Sequence, residues 1–458
     1  MTPPTTITVT RATRAPSAPT RRVCEACAHL GISAADLLTP PAPDPRAFTL
    51  NLAPATITLI TGASGTGKSS LLRDIAAAAH KANITPLRQS ARPLPNKPAI
   101  DLAGPDTHAA MRALASAGLA EAACFARRPS QLSEGQRWRL RLALDLARAL
   151  RRAASDQPVA LFIDEFASTL DPPAASSIAH LLRAAADRHR TIALILASPR
   201  TDIAAPLAPD THITTHHANR LTVETTPHER SRPRFIIEPG SIADYDALAH
   251  LHYRAGPPAT IARILAARDA VRGSLAGVLI TSMPTLNASW RQLAWPNRYT
   301  TPSRRDNALR VNEEIRCISR VIVDPARRSM GVARRLVAAY LADPDTPATE
   351  ALAAMGHACP FFARAGMTPY TLAPTARDAR LLDALEHAHI EPWRLALPHQ
   401  ALRRATEHTS LAFIDRETRL WANASGATRR HARDELPPLF ARACAAVAAR
   451  PVAYAHTA

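Results

Sequence analysis

GASGTGKS, residues 62–69, follows the apolar, β-branched run ITLIT at 57–61 and leads into SLLRDIAAAA at 70–79, a run of helix-forming composition. A buried strand that turns through glycines straight into a helix leaves backbone N–H groups pointing out at the helix N-terminus, where a polyphosphate can sit. Gly62, Gly65 and Gly67 permit the tight turn, with Ala63, Ser64 and Thr66 between them. Lys68 is spaced to reach the outer phosphates, and Ser69, with Ser70 beside it, offers a hydroxyl to Mg²⁺. A glycine turn without a ligand is the bland alternative, and the strand before and helix after oppose it.

Two further segments belong with this loop. VALFIDEF at 159–166 is a second buried strand that delivers Asp164 toward the metal, with Glu165 placed to polarise an attacking water. LSEGQ comprises Leu132, Ser133, Glu134, Gly135 and Gln136, and it opens a long arginine-rich helix. Gln89 follows a short strand at 85–87.

In this order the three segments resemble those of ATP-binding cassette (ABC) ATPases. The resemblance implies ATP and Mg²⁺ as cofactors, and it makes Ser133 and the Gly135 backbone contacts for a γ-phosphate bound by a second subunit. Gln89 stands where a Q-loop glutamine would in that family, and the resemblance implies a metal set of Ser69, Gln89 and Asp164. One chain carries one such cassette, so the expected assembly is a homodimer through this domain. Asp171, closing STLD at 168–171, resembles the D-loop aspartate, and Phe48 is a candidate for stacking on adenine. One departure stands out. Where the family usually places a switch histidine, after the strand at 192–197, this chain reads Ser198, Pro199 and Arg200. Slow hydrolysis and clamp-like behaviour are the expectation.

Composition bounds the remainder. The 458 residues suit two or three domains, and 47% hydrophobic residues can fill real cores. No run approaches the roughly 18 apolar residues of a membrane helix, and the N-terminus lacks an apolar leader segment, so a cytoplasmic protein is expected. A formal charge of +18 points to a polyanionic partner such as nucleic acid. Only Lys68, Lys81 and Lys97 are lysines, and such arginine usage also follows from GC-rich coding. Aromatics are too few for base stacking to dominate. Cys24-x-x-Cys27-x-His29 is half a zinc pattern without a second cysteine pair.

Along the chain, residues 1–22 read as a mobile basic N-terminus and 23–226 as the ATPase domain. Residues 227–233 form a proline-bounded linker, 234–372 a second domain, and 373–458 a basic, largely helical extension. The expected fold class is α/β: a P-loop ABC ATPase domain followed by an α+β domain and that extension. In the second domain, ISRVIVDPARRSMGVARRLVA at 318–338 reads as a strand, a turn and an amphipathic helix. The turn contains Arg328, Ser329, Met330, Gly331, Val332 and Ala333, another arrangement suited to capturing an anion.

This segment resembles the acyl-CoA-binding loop of the GNAT acetyltransferase superfamily, and the domain is also similar to Mom-type DNA-modifying acyltransferases. The resemblance implies acetyl-CoA or another acyl-CoA as cofactor, with His252 the first choice of catalytic base. The expected function is an ATP-hydrolysing ABC-type protein coupled to a GNAT-like acyltransferase that modifies nucleic acid. The alternatives are a non-modifying ATP-gated DNA clamp with a degenerate GNAT module, and a transporter ATPase subunit, which the short helical insert between the P-loop and LSEGQ and the fused second domain disfavour.

Overall fold

The structure is a computed structural model. It describes residues 6–10, 18–35, 47–90, 92–154, 158–217, 220–225, 234–252, 256–328 and 330–458. The expected linker at 227–233 and Ser329 lie outside the described residues.

Among the described residues, the strands form three sheets. A two-stranded antiparallel sheet pairs β1 (Thr6–Val9) with β2 (Phe48–Asn51). A six-stranded sheet contains β3 (Ile57–Gly62), β4 (Thr85–Arg88), β5 (Val159–Ile163), β6 (Ile192–Ala197), β7 (Thr211–Thr215) and β8 (Leu221–Glu224), in the order β4-β5-β6-β3-β7-β8. All its pairings are parallel except the closing β7–β8 hairpin. A seven-stranded sheet contains β9 (Phe235–Pro239), β10 (Arg263–Asp269), β11 (Leu275–Ser282), β12 (Ile315–Val323), β13 (Ala348–Ala353), β14 (Thr368–Thr371) and β15 (Val452–Thr457), in the order β14-β15-β13-β12-β11-β10-β9.

The chain divides into two compact units. The first comprises residues 1–257, 264–278 and 321–336; the second comprises 258–263, 279–320 and 337–458.

In the first unit the central strands β3, β5 and β6 of the six-stranded sheet are buried on both faces, as in a parallel sheet flanked by helices. Alternate residues go to opposite cores. Ile57, Leu59, Leu161, Ile163, Leu194 and Leu196 pack on one side with the helices Glu134–Ala153 and Pro172–His189. Ile60, Phe162, Ile195 and Ala197 pack on the other with the helix Lys68–Lys81. Phe48 leans on this second core, which gives it a packing role. Thr6–Val9 departs from the expected mobile arm. Its alternation Thr-Ile-Thr-Val buries Ile7 and Val9 and pairs Ile7 with Leu50. The helix Arg21–Leu30 is capped by Thr20 and closed by Gly31 in the left-handed conformation; Cys27 is buried along it and Cys24 exposed.

In the second unit, β13 pairs antiparallel with β15, and β15 with β14. The extension expected to be largely helical does contain the helices Ala376–His387, Pro398–His408, Leu411–Asn423 and Leu436–Ala448, packed around Leu385, Ile414, Trp421, Leu439 and Phe440. It ends in a strand, however: Val452–Thr457 inserts between β13 and β14 and buries Ala453, Tyr454 and Ala455.

Candidate functional site

Strand register sets the geometry. Ile60 lies opposite Ala197, Ile163 opposite Leu196, and Phe162 opposite Arg88. The carboxyl ends of β3, β4, β5 and β6 therefore stop at one level, and the segments beginning at Gly62, Gln89, Asp164 and Ser198 leave the sheet along one edge. Ligands of open parallel sheets bind at such an edge.

The loop after β3 has the features its residue types predict. Gly62, Gly65 and Gly67 have φ of 149°, 80° and 88°, values that side-chain-bearing residues rarely adopt. A Cβ on Gly62 would lie 2.2 Å from Thr215 Oγ1 and 2.4 Å from the Thr215 carbonyl. Thr66 Oγ1 is bonded to the Ala63 carbonyl at 2.8 Å and shares a 2.6 Å bond with Thr215 Oγ1. Lys68 is 7% exposed and donates from Nζ to the carbonyls of Gly62 and Ala63 at 2.9 and 2.8 Å. Gly67 supplies no side-chain cap to the helix Lys68–Lys81, so the amides of its first turn, including Ser69 and Ser70, remain for a ligand. Glycine-lined space, an uncapped helix start and a buried ammonium together fit a nucleotide polyphosphate.

The carboxylate segment is strained. Glu165 and Ala167 have φ of 52° and 55°, each costing on the order of 1–3 kcal/mol in a residue with a side chain. Surrounding bonds hold them there. Phe166 N donates to the Ala197 carbonyl at 2.7 Å, and Ser168 Oγ donates to the Glu165 carbonyl at 3.0 Å. Asp164 Oδ1 accepts from Glu165 N at 3.0 Å. Gln89 N donates to the Phe162 carbonyl at 2.9 Å, while Gln89 Nε2 is buried with no hydrogen-bond partner among the described residues. Nε2 is an N–H donor, so it asks for an acceptor oxygen. Gln89, Asp164 and the start of the Lys68–Lys81 helix, which carries Ser69, all lie along this edge, and Ser69 Oγ, Gln89 Oε1 and Asp164 are oxygen donors of the kind Mg²⁺ takes.

Leu132 is buried, and Ser133 caps the helix Glu134–Ala153 through a reciprocal box: Gln136 N donates to Ser133 Oγ at 3.2 Å and Ser133 N to Gln136 Oε1 at 3.1 Å. In that cap the Ser133 hydroxyl acts as acceptor, so its own proton remains to donate to a phosphate oxygen. Glu134 is exposed, and a Cβ on Gly135 would lie 3.2 Å from Leu170 Cδ2, which is why glycine suits that position. Asp171 caps the helix Pro172–His189, accepting from Ala174 N at 2.8 Å, and so faces its own chain.

Sequence reasoning missed two residues here. Arg141 donates to the Ser90 carbonyl at 3.1 Å and Arg148 to the Arg88 carbonyl, so the helix opened by Ser133 grips the backbone on either side of Gln89. The only sequence signal was the arginine spacing along one helix face.

Residues 328–333 follow β12 and the short turn Pro325–Arg327, and lead into the helix Val332–Ala342. Gly331 has φ of 82° and open space where a Cβ would stand, which suits an anion at the backbone. Met330 and Val332 are buried, and Ala333 is half-buried. Arg328 is committed elsewhere: its guanidinium bonds Glu121 Oε1 at 2.7 Å, and its carbonyl accepts from Ser177 Oγ at 2.7 Å. The Gly331 backbone is thus open to a ligand, whereas the Arg328 charge is already paired. His252 sits in the turn after the helix Ile242–Ala249, half-buried, with its N–H on the Ala249 carbonyl at 3.0 Å.

The first unit carries a P-loop ATPase domain. Residues 51–195 match the family model described as "AAA ATPase domain". Similar solved structures include cbiO1 from Clostridium perfringens, part of the ABC transporter complex cbiONQ, at 17% identity over 48% of this chain and 88% of that one, with a TM-score of 0.33. The ATP-binding cassette MJ0796, dimeric and bound to ADP and Pi, is 18% identical over 39% and 89%, with a TM-score of 0.30. MJ1267, an ABC transporter cassette with ADP, is 13% identical over 48% and 90%, with a TM-score of 0.32. The search of curated proteins returned no match. No helix among the described residues is long and apolar enough to cross a membrane.

Proposed function

We propose that this chain is an ABC-type ATPase that works as a homodimer in the cytoplasm and drives a GNAT-like acyltransferase acting on nucleic acid. The observation that carries the ATPase half is the single sheet edge bearing the glycine loop, Gln89, Asp164 and Glu165, beside a helix whose N-terminus is LSEGQ. Lys68 and the first-turn amides would hold the triphosphate, and Ser69, Gln89 and Asp164 the Mg²⁺, which supplies charge neutralisation when bound. Glu165 takes or orients the proton of the attacking water. Ser133 and the Gly135 backbone would complete the phosphate site of a second subunit, as the resemblance to ATP-binding cassettes implies, from the start of the helix Glu134–Ala153.

The acyltransferase half is supported by the strand–turn–helix around Gly331 and by the parallel β12–β13 pairing that this helix bridges. Its amides would receive the CoA pyrophosphate, and His252 is the proposed base. The charge of +18 supports a nucleic-acid acceptor. The Arg328–Glu121 pair favours a second reading, an ATP-gated clamp on DNA whose GNAT-like module no longer binds CoA.

Calorimetry of the full chain with acetyl-CoA separates these readings. Binding that Gly331→Glu removes supports the acyltransferase, since the substitution puts a side chain and a negative charge into the anion site. No binding of acetyl-CoA or CoA near millimolar concentration leaves the clamp. Mass spectrometry of nucleosides from cells with and without the chain then identifies a modified base.

A further inference from the structure

The loop that lacks the histidine is connected to the carboxylate segment by a different device. Ser198 is fully buried; its N–H bonds the Ile60 carbonyl at 2.9 Å, and its hydroxyl donates to the Phe166 carbonyl at 2.8 Å. The same hydroxyl accepts from Arg200 N at 3.1 Å. The Arg200 guanidinium is forked over Asp202, with Nε to Oδ1 at 3.0 Å and Nη2 to Oδ2 at 2.6 Å. This leaves Nη1 to donate to the Leu170 carbonyl at 2.6 Å. Pro199 removes a backbone donor and fixes φ between the two residues.

These bonds enclose one stretch. Phe166 and Leu170 flank the segment that contains Ala167 and follows Glu165, the two residues held at positive φ. Leu170 Cδ2 lies 3.2 Å from where a Cβ on Gly135 would stand, so the residue whose carbonyl Arg200 holds also packs against the start of the LSEGQ helix. Three segments of the nucleotide edge are thus tied through one guanidinium and one hydroxyl.

We propose that Arg200, with Ser198, is a positioning residue for ATP hydrolysis: it fixes the backbone from Phe166 to Leu170 and so holds Glu165 in the orientation needed to act on water. The proposal rests on the reading that Glu165 does so. Arg200 is assigned no contact with the nucleotide, and its effect belongs to turnover and not to ATP binding. An ammonium in its place could keep one of the three directed bonds, and a neutral amide could keep one weaker bond.

The test uses the full chain with Arg200→Lys, Arg200→Gln, Arg200→Ala and Ser198→Ala, measuring kcat, ATP affinity and melting temperature for each. Expected is a fall in kcat of tenfold or more for Arg200→Ala and Ser198→Ala, partial return for Arg200→Lys, and Arg200→Gln between Lys and Ala. ATP affinity should stay within twofold throughout. If the alanine variants do not fold, the Lys and Gln variants decide on the same criteria. Turnover within twofold of wild type in the Lys and Gln variants alike, or ATP affinity falling in step with turnover, overturns the proposal. Glu165→Gln separates it from the reading beneath: wild-type turnover there removes the role of Glu165 and the Arg200 proposal with it. A dead Glu165→Gln beside active Arg200 variants removes the proposal alone.

Discussion

Arg328 and Glu121, 207 positions apart in the chain, share a 2.7 Å bond between guanidinium Nη1 and carboxylate Oε1. Both lie in the first unit and both are largely sheltered, with side chains 15% and 30% exposed. Arg139 is close enough that Arg328, after burial itself, is the next cause holding its pKa below the ordinary arginine value. Glu121 therefore offsets two neighbouring guanidinium groups. It also helps burial push the Cys124 thiol up to about 11.

Removing that carboxylate leaves Arg139 and Arg328 facing each other. Glu121→Gln should cost about 1–2 kcal/mol of stability, between the values for exposed and for fully buried pairs. The double variant Glu121→Gln, Arg328→Gln should recover part of the loss, as denaturant midpoints can show. Equal midpoints for wild type and Glu121→Gln would mean that the pair contributes nothing.

Gly62 cannot take a side chain where it stands. Gly62→Ala puts a methyl within 2.2 Å of Thr215 Oγ1 and 2.4 Å of a carbonyl, so β3, β7 or the loop between β3 and its helix must shift. ATP affinity should fall at least tenfold, with a lowered melting temperature. Lys68→Ala should abolish ATP binding with a smaller effect on melting, since Lys68 Nζ bonds only two loop carbonyls. Nucleotide titrations beside thermal melts check both, and ATP bound normally by either variant would contradict the site.

His180 gives a pH signature. Burial on the helix Pro172–His189 lowers its pKa from 6.5 to about 4. The folded value is depressed, so at pH 7 and above neither state is protonated and the group has no effect. Between about 6.5 and 4 the unfolded chain binds a proton that the folded chain refuses. Stability should therefore fall as pH drops through that window, by at most about 1.4 kcal/mol per pH unit from this group. Comparing denaturant unfolding of wild type and His180→Gln at several pH values isolates the contribution. A variant with the same slope as wild type would remove His180 as its source.

Much of the nucleotide edge was legible because its determinants are local. Three glycines, a lysine and a β-branched run dictate the loop after β3, and the all-apolar stretches at 159–163 and 192–197 dictate two central parallel strands. Thr6–Val9 has the alternation of a half-buried strand, yet four residues in a threonine- and proline-rich arm are too short a signal without their β2 partner. Val452–Thr457 is strand only because β13 and β14 lie on either side of it, which no local pattern announces. The missing histidine was visible at Ser198 and Pro199, but the bond from Arg200 to Leu170 was not, since it depends on where two loops end along a sheet edge. The commitment of Arg328 to Glu121 was hidden for the same reason.

The central claim is that the nucleotide site is completed by a second copy of this chain. Light scattering of full-length Glu165→Gln with saturating ATP and Mg²⁺ tests it most directly, because ATP can then be sandwiched without being consumed. Twice the mass of the 49.2 kDa chain is expected with ATP, and that species should be lost with Lys68→Ala or on omitting Mg²⁺. A Glu165→Gln protein that binds ATP and remains at the mass of one chain would contradict it.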